Sequence, residues 1–133
     1  MLDPAKHVKP FVYASATTKA LHFSMHEIQS RMALADPFAL DLEYTRTMMG
    51  FLLLQPEPKR IVMIGLGGGS LAKFCHRHLP GASIQVAEIN PHVIALRDQF
   101  DVPPDSERFE VLLADGARFV RQADLALDVV MVD

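Results

Sequence analysis

Five consecutive residues, Gly65-Leu66-Gly67-Gly68-Gly69, constrain the fold of this chain more than any others. They follow the all-apolar run Ile61-Val62-Met63-Ile64 and precede a helical stretch from Ser70 to Leu79, which Pro80-Gly81 closes. A short run without polar alternation suits a parallel strand covered on both faces. A glycine-rich turn between such a strand and a helix lets a ligand approach the backbone. The helix start then directs free N–H groups and its positive dipole end at that ligand. Gly65 and Gly67 satisfy the G-x-G part of the dinucleotide fingerprint, while Ser70 stands where its third glycine belongs. A turn that needs glycine only for close packing is the competing explanation.

The same alternation continues downstream. Ile84-Gln85-Val86-Ala87 reads as a second strand ending at Glu88, and Pro91 to Phe100 as a helix capped by Asn90 with proline in its first turn. Phe109 to Leu113 is a third strand, Gly116 to Gln122 a third helix and Leu127 to Val132 a fourth strand. Strands and helices in this order predict right-handed crossovers and a parallel α/β sheet. Upstream, Phe11-Val12-Tyr13, Ala20 to Met25 and Glu27 to Met32 carry β signals, and polar breaks at Thr17-Thr18-Lys19 and His26-Glu27 predict a small antiparallel meander. Asp36-Pro37 predicts an N-cap and first-turn proline for a helix from Phe38 to Leu54. On it Leu40, Tyr44, Met48, Phe51 and Leu52 recur at helical spacing, and Pro56 and Pro58 end it.

This organisation predicts a small N-terminal β domain over residues 1–35 and a Rossmann-like nucleoside-binding domain over residues 36–133. The run Ala126 to Asp133 reads as a buried strand on which the sequence stops. Buried parallel strands have neighbours and a crossover helix after them. The second domain is therefore expected to be incomplete, as a fragment or as a chain that a partner completes.

Acidic residues follow three of the strands. Glu88 lies where an acid roughly 20 residues after the loop accepts hydrogen bonds from ribose hydroxyls. Asp115, in Leu113-Ala114-Asp115-Gly116-Ala117, can accept from an adenine amino group, with Ala114 and Gly116 leaving room for the ring; it is equally an N-cap for the next helix. Asp133 ends the fourth strand. Ligands of open α/β sheets bind along the carboxyl-terminal rim, so Gly65, Glu88, Asp115 and Asp133 are expected to converge.

Other chemistries find little support. The single cysteine, Cys75, excludes an intramolecular disulfide and a cysteine-rich zinc site. The six histidines show no metal-ligand spacing joined to carboxylates, so no metal is expected. A net charge of -3 gives no general attraction to nucleic acid. No apolar stretch reaches the roughly 18 residues a membrane span needs, and Met1-Leu2-Asp3-Pro4 lacks the layout of a signal peptide. A cytoplasmic location follows as the expectation.

Taken in order, Ile28-Gln29, the helix with Tyr44, the Ile61 to Gly69 segment, Glu88-Ile89-Asn90, Ala114-Asp115-Gly116 and Asp128 to Asp133 resemble the spermidine synthase (polyamine aminopropyltransferase) family over roughly residues 10–133. The resemblance implies a methyltransferase-like Rossmann parallel sheet preceded by the small antiparallel meander. It also implies transfer of an aminopropyl group from decarboxylated S-adenosylmethionine to a polyamine acceptor such as putrescine. On this basis Gln29, Gly65, Gly67, Gly68, Gly69, Glu88, Asp115 and Gly116 would bind the cofactor, Tyr44 the substrate, and Asp133 would act in catalysis by orienting the amine. A homodimer is compatible with the family's habits.

Three departures accompany the resemblance. Gly68 stands where the family loop carries an aspartate for the cofactor's amino tail. Tyr44-Thr45-Arg46-Thr47 replaces a Tyr-His-Glu-Met-type motif. The acid usually assigned as base, with much of the amine pocket, falls beyond Asp133. An S-adenosylmethionine-dependent methyltransferase and a catalytically silent nucleoside-binding or assembly fragment therefore stand as alternatives.

Overall fold

The computed structural model describes residues 4–122 and 127–133. The leader reading on Met1 to Asp3, and Ala126 at the head of the expected last strand, lie outside the described residues. Among the described residues seven strands form two sheets. The first is antiparallel: β1 (Phe11–Ala14), β2 (Thr18–His22) and β3 (Ile28–Ala33) pair in sequence order. The second contains β4 (Arg60–Ile64), β5 (Ser83–Glu88), β6 (Phe109–Leu113) and β7 (Val129–Val132) in the order β6-β5-β4-β7, every pair parallel. The α/β class and the methyltransferase-like sheet preceded by a meander are therefore as the sequence implies.

Alternate residues on neighbouring strands build the core. Ile61 is in register with Ile84 and Met63 with Val86, while Ile84 meets Phe109 and Val86 meets Val111. All six are buried in one cluster with Leu21 and Met32 of the antiparallel sheet. Each such side chain contributes about 1.5–3 kcal/mol by leaving water. The helices are α1 (Glu43–Met48), α2 (Ser70–His78), α3 (Pro91–Ile94) and α4 (Gly116–Gln122).

Several boundaries differ from expectation, each for a local reason. β2 ends at His22, and Phe23 to Met25 turn outward as part of the hairpin loop. Asp36 does not cap a helix: its amide returns to the Ala33 carbonyl at 3.2 Å, and it bridges Ala33. An ion pair between Arg31 and Asp41 and a bond from Arg46 Nε to the Leu40 carbonyl hold the next segment, so α1 begins only at Glu43. It tightens to a 3-10 turn over Met49–Leu53, which contains Gly50. Glycine is a poor helix former. α3 is also short, and a 3-10 turn over Arg97–Phe100 follows it. Asn90 caps α3 as expected, accepting from the His92 amide at 3.0 Å.

β7 departs in another way. Its sequence reads as a buried strand, yet Val130 is 45% and Val132 66% exposed. Met131, on the core face, is buried. Among the described residues β7 is an edge strand, paired with β4 alone. Asp128 anchors its start by accepting from the amides of Lys59 at 2.6 Å and Arg60 at 3.0 Å. Those two bonds hold its carboxyl below the usual range.

Candidate functional site

The direction of strand addition reverses beside β4, with β5 and β6 on one side and β7 on the other. Ligands of open α/β sheets bind at that reversal, beyond the carboxyl ends. The Gly65 amide donates to the Ala87 carbonyl at 2.8 Å, the Asp133 amide to Ile64 at 2.9 Å and the Ala114 amide to Glu88 at 3.0 Å. This ladder aligns all four strand ends. Beyond them lies a cleft of about 400 Å³ whose lining includes Gln29, Gly65, Gly67, Glu88, Asp115, Gly116 and Asp133.

Glu88 is 8% exposed rather than solvated. Its Oε1 accepts from the Leu66 amide at 2.8 Å and its Oε2 from the Asn90 amide at 2.9 Å. A carboxylate has about four lone-pair sites, so each oxygen can accept once more from a ligand hydroxyl. Asp115 caps α4 through Oδ1, taking the Ala117 amide at 2.9 Å. It does this while lining the cleft, so the capping and ligand-facing placements coexist in one side chain.

Asp133 is open to solvent but crowded on its inner side. Desolvation raises its pKa, a hydrogen bond from Tyr44 lowers it and the charge of Glu88 raises it. The net direction is upward, so this carboxylate takes up a proton more readily than a solvated one. The single Tyr44 O–H is shared between the Gln29 carbonyl, at 3.1 Å, and Asp133. Burial, the charge of Asp133 and the bond to it push the phenol up to about 12. Tyr44 thus stands behind Gln29 and Asp133 and does not itself line the cleft.

Gly67 has φ +55, and a Cβ there would lie 2.3 Å from Gln29 Oε1. That oxygen is buried and has no hydrogen-bond partner among the described residues. An acceptor facing a cradle that only glycine leaves open suits a ligand donor. Gly116 is required for packing: a Cβ there would meet Ile64 Cγ2 at 2.3 Å.

Besides Tyr44, two of the expected cofactor-binding residues do not line the cleft. Gly68 backs onto Ser30 Oγ, 2.7 Å from an added Cβ, and Gly69 onto Val102 Cγ2, at 2.5 Å. Their lack of side chains serves the protein interior instead. Conversely, Phe23 lines the cleft from the β2–β3 hairpin and Ile89 from the end of β5. Nothing in its local sequence marks Phe23, which arrives by tertiary placement, whereas Ile89 follows Glu88 directly. No described residue of the lining is basic.

No protein-family model matches the chain. A polyamine aminopropyltransferase of Chromobacterium violaceum is 44% identical over 133 residues, covering 98% of this chain and 51% of the relative. One from Neisseria meningitidis is 40% identical over 136 residues, covering 99% of this chain and 52% of the relative. The chain thus spans about half the length of these relatives. A probable spermidine synthase from Corynebacterium glutamicum superposes with a TM-score of 0.77 at 18% identity, covering 93% of this chain and 48% of that one. Human Methyltransferase-like protein 13, in complex with SAH, superposes with a TM-score of 0.58 at 31% identity, covering 69% of this chain and 47% of that one.

Proposed function

Because nearly the whole chain is similar in sequence to polyamine aminopropyltransferases, we propose that it forms the nucleoside-holding part of such an enzyme and binds decarboxylated S-adenosylmethionine. The observation that carries this reading is the convergence of Glu88, Asp115 and Asp133 on one cleft with Gly65 and Gly67. Glu88 would accept from the ribose hydroxyls with its remaining lone pairs, Asp115 from the adenine amino group, and Gln29 Oε1 from a donor beside Gly67.

The sign of the lining favours the decarboxylated ligand. That ligand carries a sulfonium and an ammonium and no carboxylate. The intact form adds a carboxylate, for which the described lining offers acids and no basic side chain. Like charges at close range disfavour binding, and low local dielectric strengthens the effect.

The ligand supplies an electrophilic carbon beside its sulfonium. The chain's residues would bind and align what attacks it. An amine attacks only when neutral, so a carboxylate that attracts the ammonium, takes its proton and holds the nitrogen in line contributes through charge and orientation. Asp133, with its raised pKa, suits taking that proton. A polyamine acceptor such as putrescine is the matching cationic partner.

A methyltransferase is the second reading, supported by the identity to the SAH-bound human protein and by Gly68, which has no room for the acid of the family loop. Calorimetric titration with each form of the cofactor decides between them. Tighter binding of the decarboxylated form is expected. Tighter binding of S-adenosylmethionine would transfer the assignment to methyl transfer, and binding of neither would remove both.

A further inference from the structure

Lys73 is among the largest fully buried side chains of the described residues, at 1% exposure. It lies on α2, outside the cleft lining. Its Nζ donates to the Phe100 carbonyl at 2.7 Å. Burying an amine costs free energy unless its partners offset the lost water. A methionine would fill a similar volume without that penalty. One carbonyl and the charge of Asp101 are a small return for the fold alone, so their common location in one turn becomes the informative fact.

Phe100 and Val102 form the back wall of the glycine loop. A Cβ on Gly68 would lie 3.2 Å from Phe100 Cδ1, and one on Gly69 would lie 2.5 Å from Val102 Cγ2. The turn bearing them passes through Asp101 at φ 55 and closes by a bond from the Val102 amide to the Arg97 carbonyl at 3.0 Å. Lys73 also donates its own amide to the Gly69 carbonyl at 2.8 Å. One residue therefore ties α2, the loop and the turn together. Lys19 of β2 holds the adjacent Gln99 carbonyl at 2.9 Å from the other side.

We propose that Lys73 is a positioning residue: through the Phe100 carbonyl it clamps the 97–102 turn against the back of the Gly67–Gly69 loop and keeps the opposite side of that loop shaped for a nucleoside. The part in binding rests on the function proposed above, whereas the clamp on the loop stands without it. Leu66 links the two sides. Its side chain lies 3.6 Å from a Cβ on Gly69, and its amide reaches Glu88 in the cleft.

The test uses the full chain, Lys73→Met, Lys73→Arg and Val102→Ala. It reads hydrogen exchange at the Gly69 amide, which is bonded to the Leu66 carbonyl, and the dissociation constant for decarboxylated S-adenosylmethionine. Lys73→Met is expected to raise Gly69 exchange about tenfold and to weaken binding about fivefold. Lys73→Arg retains a donor and is expected to recover most of both. Unchanged exchange in folded Lys73→Met would overturn the clamp, as would a folded Lys73→Arg that recovers neither readout. Raised exchange with unchanged affinity would overturn the role in binding. If Lys73→Met does not fold, Val102→Ala loosens the same contact with Lys73 in place, and the absence of an effect there counts against the proposal. A parent chain that binds no nucleoside removes the proposed function, and exchange then decides the clamp by itself.

Discussion

The amide of Leu66 donates to Oε1 of Glu88 at 2.8 Å, so the acid at the end of β5 holds the glycine loop it faces. Its other oxygen takes the Asn90 amide at 2.9 Å, at the start of α3. Glu88→Gln keeps one acceptor oxygen and turns an NH2 group toward one of these two donors. Hydrogen bonds to charged groups contribute roughly 1.5–3 kcal/mol, and the residue is buried. The variant is expected to lose about that much stability in denaturant unfolding and to bind nucleoside more weakly in calorimetry. A loss of affinity with unchanged unfolding would show that the two amides do not depend on the charge.

Asp115 separates capping from ligand contact. The Ala117 amide meets its Oδ1 at 2.9 Å, and asparagine caps as well as aspartate. Asp115→Asn is expected to keep the melting temperature while weakening binding of an adenine nucleoside. Asp115→Ala is expected to lose about 0.5–2 kcal/mol of stability as well. Thermal unfolding beside titration distinguishes them. Equal affinities for Asp115→Asn and the parent would leave the residue as a cap alone.

What the sequence made legible is what adjacent residues determine. Ile61 to Ile64 with the glycines behind it is a local signal, and Glu88 and Asp133 end their strands, so the strand ladder aligns them. The glycines show the limit. Gly67 faces Gln29 at the cleft, while Gly68 and Gly69 face Ser30 and Val102. Both settings forbid a Cβ, so composition cannot tell a ligand cradle from an interior contact. Asp36-Pro37 carries a sound helix-start signal that tertiary structure overrides, because Arg31 pairs with Asp41 five residues further on. Lys73 escapes a sequence reading because lysine normally marks a solvated face, and its carbonyl partner lies in a distant turn.

The exposed side of β7 has a direct consequence in solution. Val130 and Val132 are open to solvent on a strand whose outer edge pairs with no strand among the described residues. Such edges template pairing between chains, and charged residues suppress it. Val132→Lys is expected to reduce concentration-dependent self-association, read by sedimentation velocity, with little change in thermal stability. Identical sedimentation of the variant and the parent would exclude this strand as the contact.

Lys73 also sets the alkaline stability of the fold. Burial lowers its pKa from 10.5 to about 8, with the charge of Asp101 opposing the shift. Between those values the unfolded chain holds a proton that the folded chain has released. Stability therefore rises with pH from about 8, by up to about 1.4 kcal/mol per unit for one proton. Cys75 acts in the opposite direction: burial raises its thiol from 9.0 to about 12, so above pH 9 the folded chain retains a proton that the unfolded chain loses. Tyr44, raised from 10.0 to about 12, joins it from pH 10. The net expectation is a rise from pH 8 to 9 and a plateau or decline above it. Lys73→Met is expected to abolish the rise while leaving the decline, whereas Cys75→Ala should extend the rise toward pH 10. Denaturant unfolding at half-unit pH steps measures each. A parent curve that is flat from pH 8 to 9, or a rise that survives in Lys73→Met, would mean that the buried amine does not titrate there.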